Sequence, residues 1–235
     1  MKRLLDLYCC AGGAAMGYHW GGFDEVIGVD HVKKRNFPFE QIKADIPTFI
    51  KETPIEWFRQ FDLIHASPPC QKFSRTKHLA VAQGRQASKV DHIEMIQTFL
   101  KKVGVPYVIE NVMGSPLTGT VLCGSSFGLK VRRHRVFEST FPIKQLECRH
   151  KEQGRPVGVY GSMGDQIQGW DKVRGTYRKG GKTAETIEEA REAMGIDWMG
   201  WSNLKEAVPP LYTQHIAECF FEWDAAGRPE YDEDE

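Results

Sequence analysis

Short apolar runs alternate with segments of helical periodicity through the first 143 residues. RLLDLYC at 3–9, EVIGVD at 25–30, FDLIHASPP at 61–69 and PYVIENV at 106–112 read as strands, and a third short segment precedes KADI at 43–46. GAAMGYHWGG at 13–22 reads as a turn into a short helix, and HIEMIQTFLKKVG at 92–104 carries apolar residues at helical spacing and ends on a glycine stop. Strands alternating with helices predict right-handed βαβ units, and so an α/β, doubly wound, mostly parallel sheet. From about Lys144 to Gly200 the pattern loosens into glycine-rich, turn-heavy sequence followed by the helical AETIEEAREAMG, and helical periodicity returns after Pro210. The expected domains are 1–143 with 206–223 as the main body, 144–205 as a small lobe, and 224–235 as an acidic tail without order.

Composition narrows the class without naming a function. Of 235 residues, 41% are hydrophobic and 26% charged, which excludes disordered and collagen-like chains. No apolar run approaches the roughly 20 residues that span a bilayer, and the amino terminus turns polar too soon for a signal peptide, so a cytoplasmic chain is expected. Six cysteines with no CxxC pair predict reduced thiols, and Cys148 and His150 in CRH supply only two soft ligands, so no metal is expected. Net charge is +0 overall, but thirteen Lys and Arg face five Asp and Glu between Lys130 and Lys182, a local excess of +8. Such a block is the electrostatic footprint of a phosphate-backbone binder.

The residues that look chemical fall at the carboxyl ends of the predicted strands, where doubly wound sheets bind ligands. Gly12 and Gly13 join the first strand to its helix and allow close approach of a ligand, with the helix amino terminus beyond favouring a carboxylate. The loop does not match GxGxxG, so a dinucleotide is not expected. Asp30, ending the second strand, can accept hydrogen bonds from ribose hydroxyls, and Asp45 could reach an exocyclic amine. ASPPCQKFSR sets Cys70 on a turn stiffened by Pro68 and Pro69 among polar and cationic neighbours, a setting that fixes and activates a thiol.

DLYCCAGGAAMG, SPPCQKFS, ENV and RRHRVF occur in the order and character of the motifs of cytosine-C5 DNA methyltransferases, and the chain resembles a compact, phage or prophage-type member of that family. The likeness covers roughly residues 4 to 143 and, more weakly, EAVPPLYTQHIAE. It departs at Cys10, where glycine is usual, at Val131, where glutamine is usual, and at Pro209, Pro210 and Tyr212 in the terminal motif. The resemblance implies a Rossmann-like, S-adenosylmethionine-dependent methyltransferase fold acting as a monomer on double-stranded DNA. It implies Cys70 as nucleophile, Glu110 at the ring N3 and amino edge, and Arg133 and Arg135 at the flipped cytosine. Asp6, Tyr8, Ala11, Gly12, Gly13, Asp30, His31, Asp45, Ile46 and Pro68 would surround the cofactor. Gln71, Ser74 and Asn111 would belong to the substrate and DNA side, Asn111 orienting the turn, and Arg174, Arg178 and Lys179 of the basic lobe would contact the DNA phosphates. The alternatives are the same chemistry on a free pyrimidine nucleotide, transfer of a modified group from a cofactor derivative, and a catalytically silent DNA-binding protein.

Overall fold

The computed structural model describes residues 1–69, 91–164, 166–171 and 176–230, with backbone alone from 166 to 171 and from 176 to 181. Seven strands form one sheet: β1 (Arg3–Leu7), β2 (Glu25–Asp30), β3 (Glu40–Lys43), β4 (Leu63–Ala66), β5 (Tyr107–Val112), β6 (Thr120–Leu122) and β7 (Arg135–Ser139). Their spatial order is β3-β2-β1-β4-β5-β7-β6. Strands β1 to β5 pair in parallel, while β7 runs antiparallel to both β5 and β6. The doubly wound, mostly parallel sheet expected from the alternation of elements is thus the observed fold. The sheet winds outward in both directions from β1 and β4, so its switch point lies between the carboxyl ends of these two strands.

Helices cover both faces. On one lie α1 (Gly13–Trp20) and α7 (Pro210–Ala225); on the other lie α2 (Ile46–Glu52), α3 (Ile55–Phe58) and α4 (His92–Val103). Alternation of side chains along the central strands sends Leu4, Leu63 and Val108 to the α1 and α7 side, and Leu5, Ile64 and Ile109 to the other. Both sets are fully buried, which is why these strands read as continuous apolar runs. By the same alternation Asp6, His65 and Glu110 share the α1 and α7 side. A Cβ on Gly17 would collide with the Pro210 carbonyl, and the Thr213 hydroxyl donates to the Ala14 carbonyl at 2.8 Å, so α1 and α7 pack almost backbone to backbone.

Beyond the sheet, β8 (Gln166–Asp171) and β9 (Thr176–Lys182) form a separate antiparallel hairpin. The helices α5 (Ile187–Met194) and α6 (Trp201–Leu204) follow. Ala190, Met194, Met199 and Leu204 lie in the same buried cluster as Leu129, Val131 and Tyr212 of the main body. Asp224, assigned from the sequence to the tail, belongs to the last turn of α7 and pairs with Lys2 at 2.9 Å and Arg228 at 2.7 Å. No helix among the described residues is long and apolar enough to cross a membrane.

Candidate active site

The chain leaves β1 through a loop with unusual backbone. Tyr8, Cys10 and Gly12 have φ of 61°, 47° and 84°. Only glycine adopts the left-handed region without cost, so Cys10 stands in a conformation that accounts for the family's usual glycine there. The loop is held open by its neighbours. Asp30 accepts hydrogen bonds from the backbone N–H of Cys10 at 2.9 Å and of Val32 at 3.0 Å, and His31 Nδ1 lies 2.9 Å from the same carboxylate. Gln41, which no motif in the sequence marks, donates to Cys9 Sγ and the Cys10 carbonyl while accepting from the Lys34 N–H. The Trp198 indole N–H donates to the Ala11 carbonyl at 3.0 Å. Helix α1 begins at Gly13 with no side-chain cap and no acid in its first turn. The N–H groups ahead of Ala15, whose own backbone faces Asp6, keep their capacity to bind an anion.

Three further residues expected at the cofactor also have partners or packing within the fold. Asp45 caps α2, accepting from the Thr48 N–H at 3.2 Å and its hydroxyl at 2.9 Å, and Ile46 is core. The Tyr8 hydroxyl lies 3.0 Å from His92 Nδ1.

Asp6 is 1% exposed, and neither of its carboxylate oxygens has a hydrogen-bond partner of ordinary length. Burial pushes its pKa well up, the charges of Asp30 and Glu110 add to the rise, and the Ala15 backbone offsets part of it. A carboxyl raised in the folded state binds its proton more tightly there than in the unfolded chain. Its stabilising contribution is complete below the unfolded pKa and is lost as pH rises toward the folded one. Asp6→Asn should therefore gain on the wild type by up to about 1.4 kcal/mol per pH unit across that interval. Thermal unfolding of the cofactor-free protein from mildly acidic to alkaline pH checks this, and parallel curves for the two proteins would refute it.

The second half of the site lies at the ends of β4 and β5. Glu110 is 6% exposed, and its Oε1 accepts from Arg135 Nε at 2.8 Å. The Ser67 hydroxyl also bonds this carboxyl, and burial raises its pKa against the lowering influence of Arg135 and Ser67. Behind Ser67 stands a buried chain. Ser67 Oγ lies 2.9 Å from His65 Nε2, and His65 Nδ1 lies 3.0 Å from the Tyr18 hydroxyl. With no exposure, the imidazole is held neutral by desolvation, its pKa pushed down to about 3. His65, Ser67 and Tyr18 were not singled out from sequence, because a histidine inside an apolar strand carries no local signal.

Asn111 is buried, and its side-chain N–H donates to the Pro68 carbonyl at 2.9 Å. It thus ties the Pro68–Pro69 turn to β5. Cys70, Gln71, Ser74 and Arg174 lie outside the described residues; Arg178 and Lys179 lie on β9, their side chains likewise. Arg133, with φ of 31°, donates from Nη1 to the carbonyls of Leu204 and Ala207 and from Nη2 to those of Val159 and Lys205. The guanidinium joins the segment before α7 to β7. Of the two arginines, Arg135 is the one the structure brings against Glu110.

Residues 2–115 match the family model described as C-5 cytosine-specific DNA methylase. The Type II methyltransferase M.AquIA of a Picosynechococcus species is 27% identical over 125 residues, 48% of this chain and 49% of that protein, so the chain matches about half the length of this curated relative. Among solved structures, a DNMT2 mutant from Spodoptera frugiperda superimposes with a TM-score of 0.62 at 15% identity over 94% of this chain and 100% of that one. An E. coli DNA modification methyltransferase encoded within a prophage gives 0.59 at 13% identity over 94% and 99%. At such identities the structural likeness speaks for the fold alone; it is the sequence match over residues 2–115 that makes the chain similar to the C-5 cytosine-specific DNA methylase family.

Proposed function

We propose that the protein transfers a methyl group from S-adenosylmethionine to C5 of cytosine in double-stranded DNA. The observation that carries this reading is the meeting of the pair formed by buried Glu110 and Arg135 with the Asn111-anchored Pro68–Pro69 turn. Both sit at the ends of β4 and β5, beside the open loop after β1.

The residues of that loop fit the cofactor: uncapped N–H groups at the start of α1 suit its carboxylate, and Asp30 has acceptor positions left for its ribose hydroxyls. The cofactor supplies an electrophilic methyl on a sulfonium. Cytosine C5 is too weak a nucleophile to take it unaided. The Cys70 thiolate adds to C6, and Glu110 holds a proton at N3, so that electron density collects at C5. After transfer the C5 proton leaves to a base, the C6–S bond breaks, and Cys70 is regenerated. Arg135 fixes the Glu110 carboxyl and keeps its proton exchangeable. The target base must leave the stack, at a cost of a few kcal/mol, and Arg174, Arg178 and Lys179 of the basic lobe would offset it through phosphate contacts.

The deciding experiment incubates the protein with methyl-labelled S-adenosylmethionine and mixed-sequence duplex DNA, then digests to nucleosides. Label in 5-methyldeoxycytidine is the expected result. Label on another position, or only on added free pyrimidine nucleotides, would refute it.

A further inference from the structure

Four side chains from three segments of the chain converge at one end of the sheet: Cys123, His134, Cys148 and His150, whose ligating atoms all lie within 4.8 Å of one another. Topology assembles them. Cys123 directly follows β6 and His134 directly precedes β7, and the antiparallel register pairing Leu122 with Arg135 sets the two side by side. Cys148 and His150 come from the segment that leaves β7 and folds back toward them. Cys123 Sγ lies 3.3 Å from His150 Nε2, and Cys148 Sγ lies 3.5 Å from His134 Nε2. The two imidazoles stand nearly perpendicular, at 88° with centroids 5.2 Å apart.

We propose that these four residues form a structural zinc site. Around a tetrahedral zinc ion with sulfur at about 2.3 Å and nitrogen at about 2.0–2.1 Å, neighbouring donor atoms stand about 3.3–3.8 Å apart. The two measured sulfur–nitrogen distances fall in that range. Thiol–imidazole hydrogen bonds would account for each pair by itself; they give no reason for both pairs to share one centre. Two thiolates and two imidazoles in tetrahedral array select zinc, and four protein ligands close the coordination sphere, which marks a structural rather than a catalytic ion.

The surroundings agree. Ser125 Oγ accepts from the Arg149 N–H at 3.1 Å and lies 3.1 Å from Cys123 Sγ, so its own proton can be given to the sulfur, as an outer partner of a metal thiolate requires. The Arg132 carbonyl, 3.0 Å from that sulfur, accepts a hydrogen bond from the thiol, and zinc binding would release that proton to solvent. The ion would staple the end of β6, the start of β7 and the segment leading to the hairpin. His134 stands between Arg133 and Arg135, so the staple also holds the backbone from which Arg135 reaches Glu110.

The test uses the whole chain, purified under reducing conditions from zinc-supplemented medium without chelator and with any affinity tag removed. About one zinc ion per chain is expected by elemental analysis, released on titration with an organomercurial thiol reagent. Cobalt(II) in its place should show the visible bands of a tetrahedral thiolate complex. Cys148→Ser and His150→Ala should each lower zinc affinity at least about a hundredfold, whereas Cys219→Ser, whose thiol lies outside the cluster, should keep the metal. Three results would overturn the proposal: less than about one-tenth of an ion per chain after zinc titration, full metal content in both ligand variants, or a Cys123–Cys148 disulfide in fresh protein.

Discussion

Cys70→Ser should abolish methyl transfer while leaving cofactor and DNA binding within about twofold of the wild type. A serine hydroxyl is almost wholly protonated at neutral pH and adds to C6 far more slowly than a thiolate. Covalent activation of C5 is therefore lost, whereas nothing in the loop after β1 or on the hairpin changes. The local structure gives the turn its purpose. Pro68 and Pro69 leave the backbone little freedom, and the Asn111 amide clasps the Pro68 carbonyl at 2.9 Å, so the chain enters residue 70 from a fixed direction beside the strand that carries Glu110. Duplex DNA containing 5-fluorocytosine should trap an adduct on the peptide that bears Cys70, because fluorine cannot leave as the C5 proton does. Substantial turnover by the serine variant, or a trapped peptide lacking Cys70, would remove the thiol from the reaction.

Much of the sheet was legible because a parallel strand buried on both faces must be apolar throughout. RLLDL, EVIGVD and YVIENV announce β1, β2 and β5 for that reason. Helix α4 was legible from its periodicity and its Gly104 stop. The β8–β9 hairpin was not, since QIQGWD and TYRKGGK carry glycines and charges in place of alternating apolar residues. Asp45 carries a further signal: an acid directly before Ile-Pro is a helix cap in the making, and it serves as one. The four-residue cluster at Cys123 is illegible by its nature. Spacings of 11, 14 and 2 residues resemble no metal motif, and only the pairing of β6 with β7 brings the first two together. The polar chain behind Glu110 is hidden similarly, because Tyr18, His65 and Ser67 meet across α1 and β4.

Glu110→Gln should lower the rate of the chemical step by about 10²–10⁴ with little change in cofactor affinity. The substitution keeps the shape of the side chain, an acceptor for Arg135 and an N–H that can still face the base. What it removes is a proton that can be lost and regained. Burial raises the Glu110 pKa while Arg135 and Ser67 pull it down, a balance suited to a group that must hold a proton against the ring N3 and release it afterwards. Since the raised pKa favours the protonated form, wild-type activity should fall as pH climbs through it, and the glutamine variant should lack that alkaline limb. The opposing influences also fix what Arg135→Ala would do: with its largest counterweight gone, Glu110 should hold its proton to higher pH and the limb should move upward. Single-turnover rates as a function of pH, measured with saturating cofactor and DNA, provide the comparison. A glutamine variant within about threefold of wild type, or one with an unchanged alkaline limb, would show that Glu110 orients the base without carrying its proton.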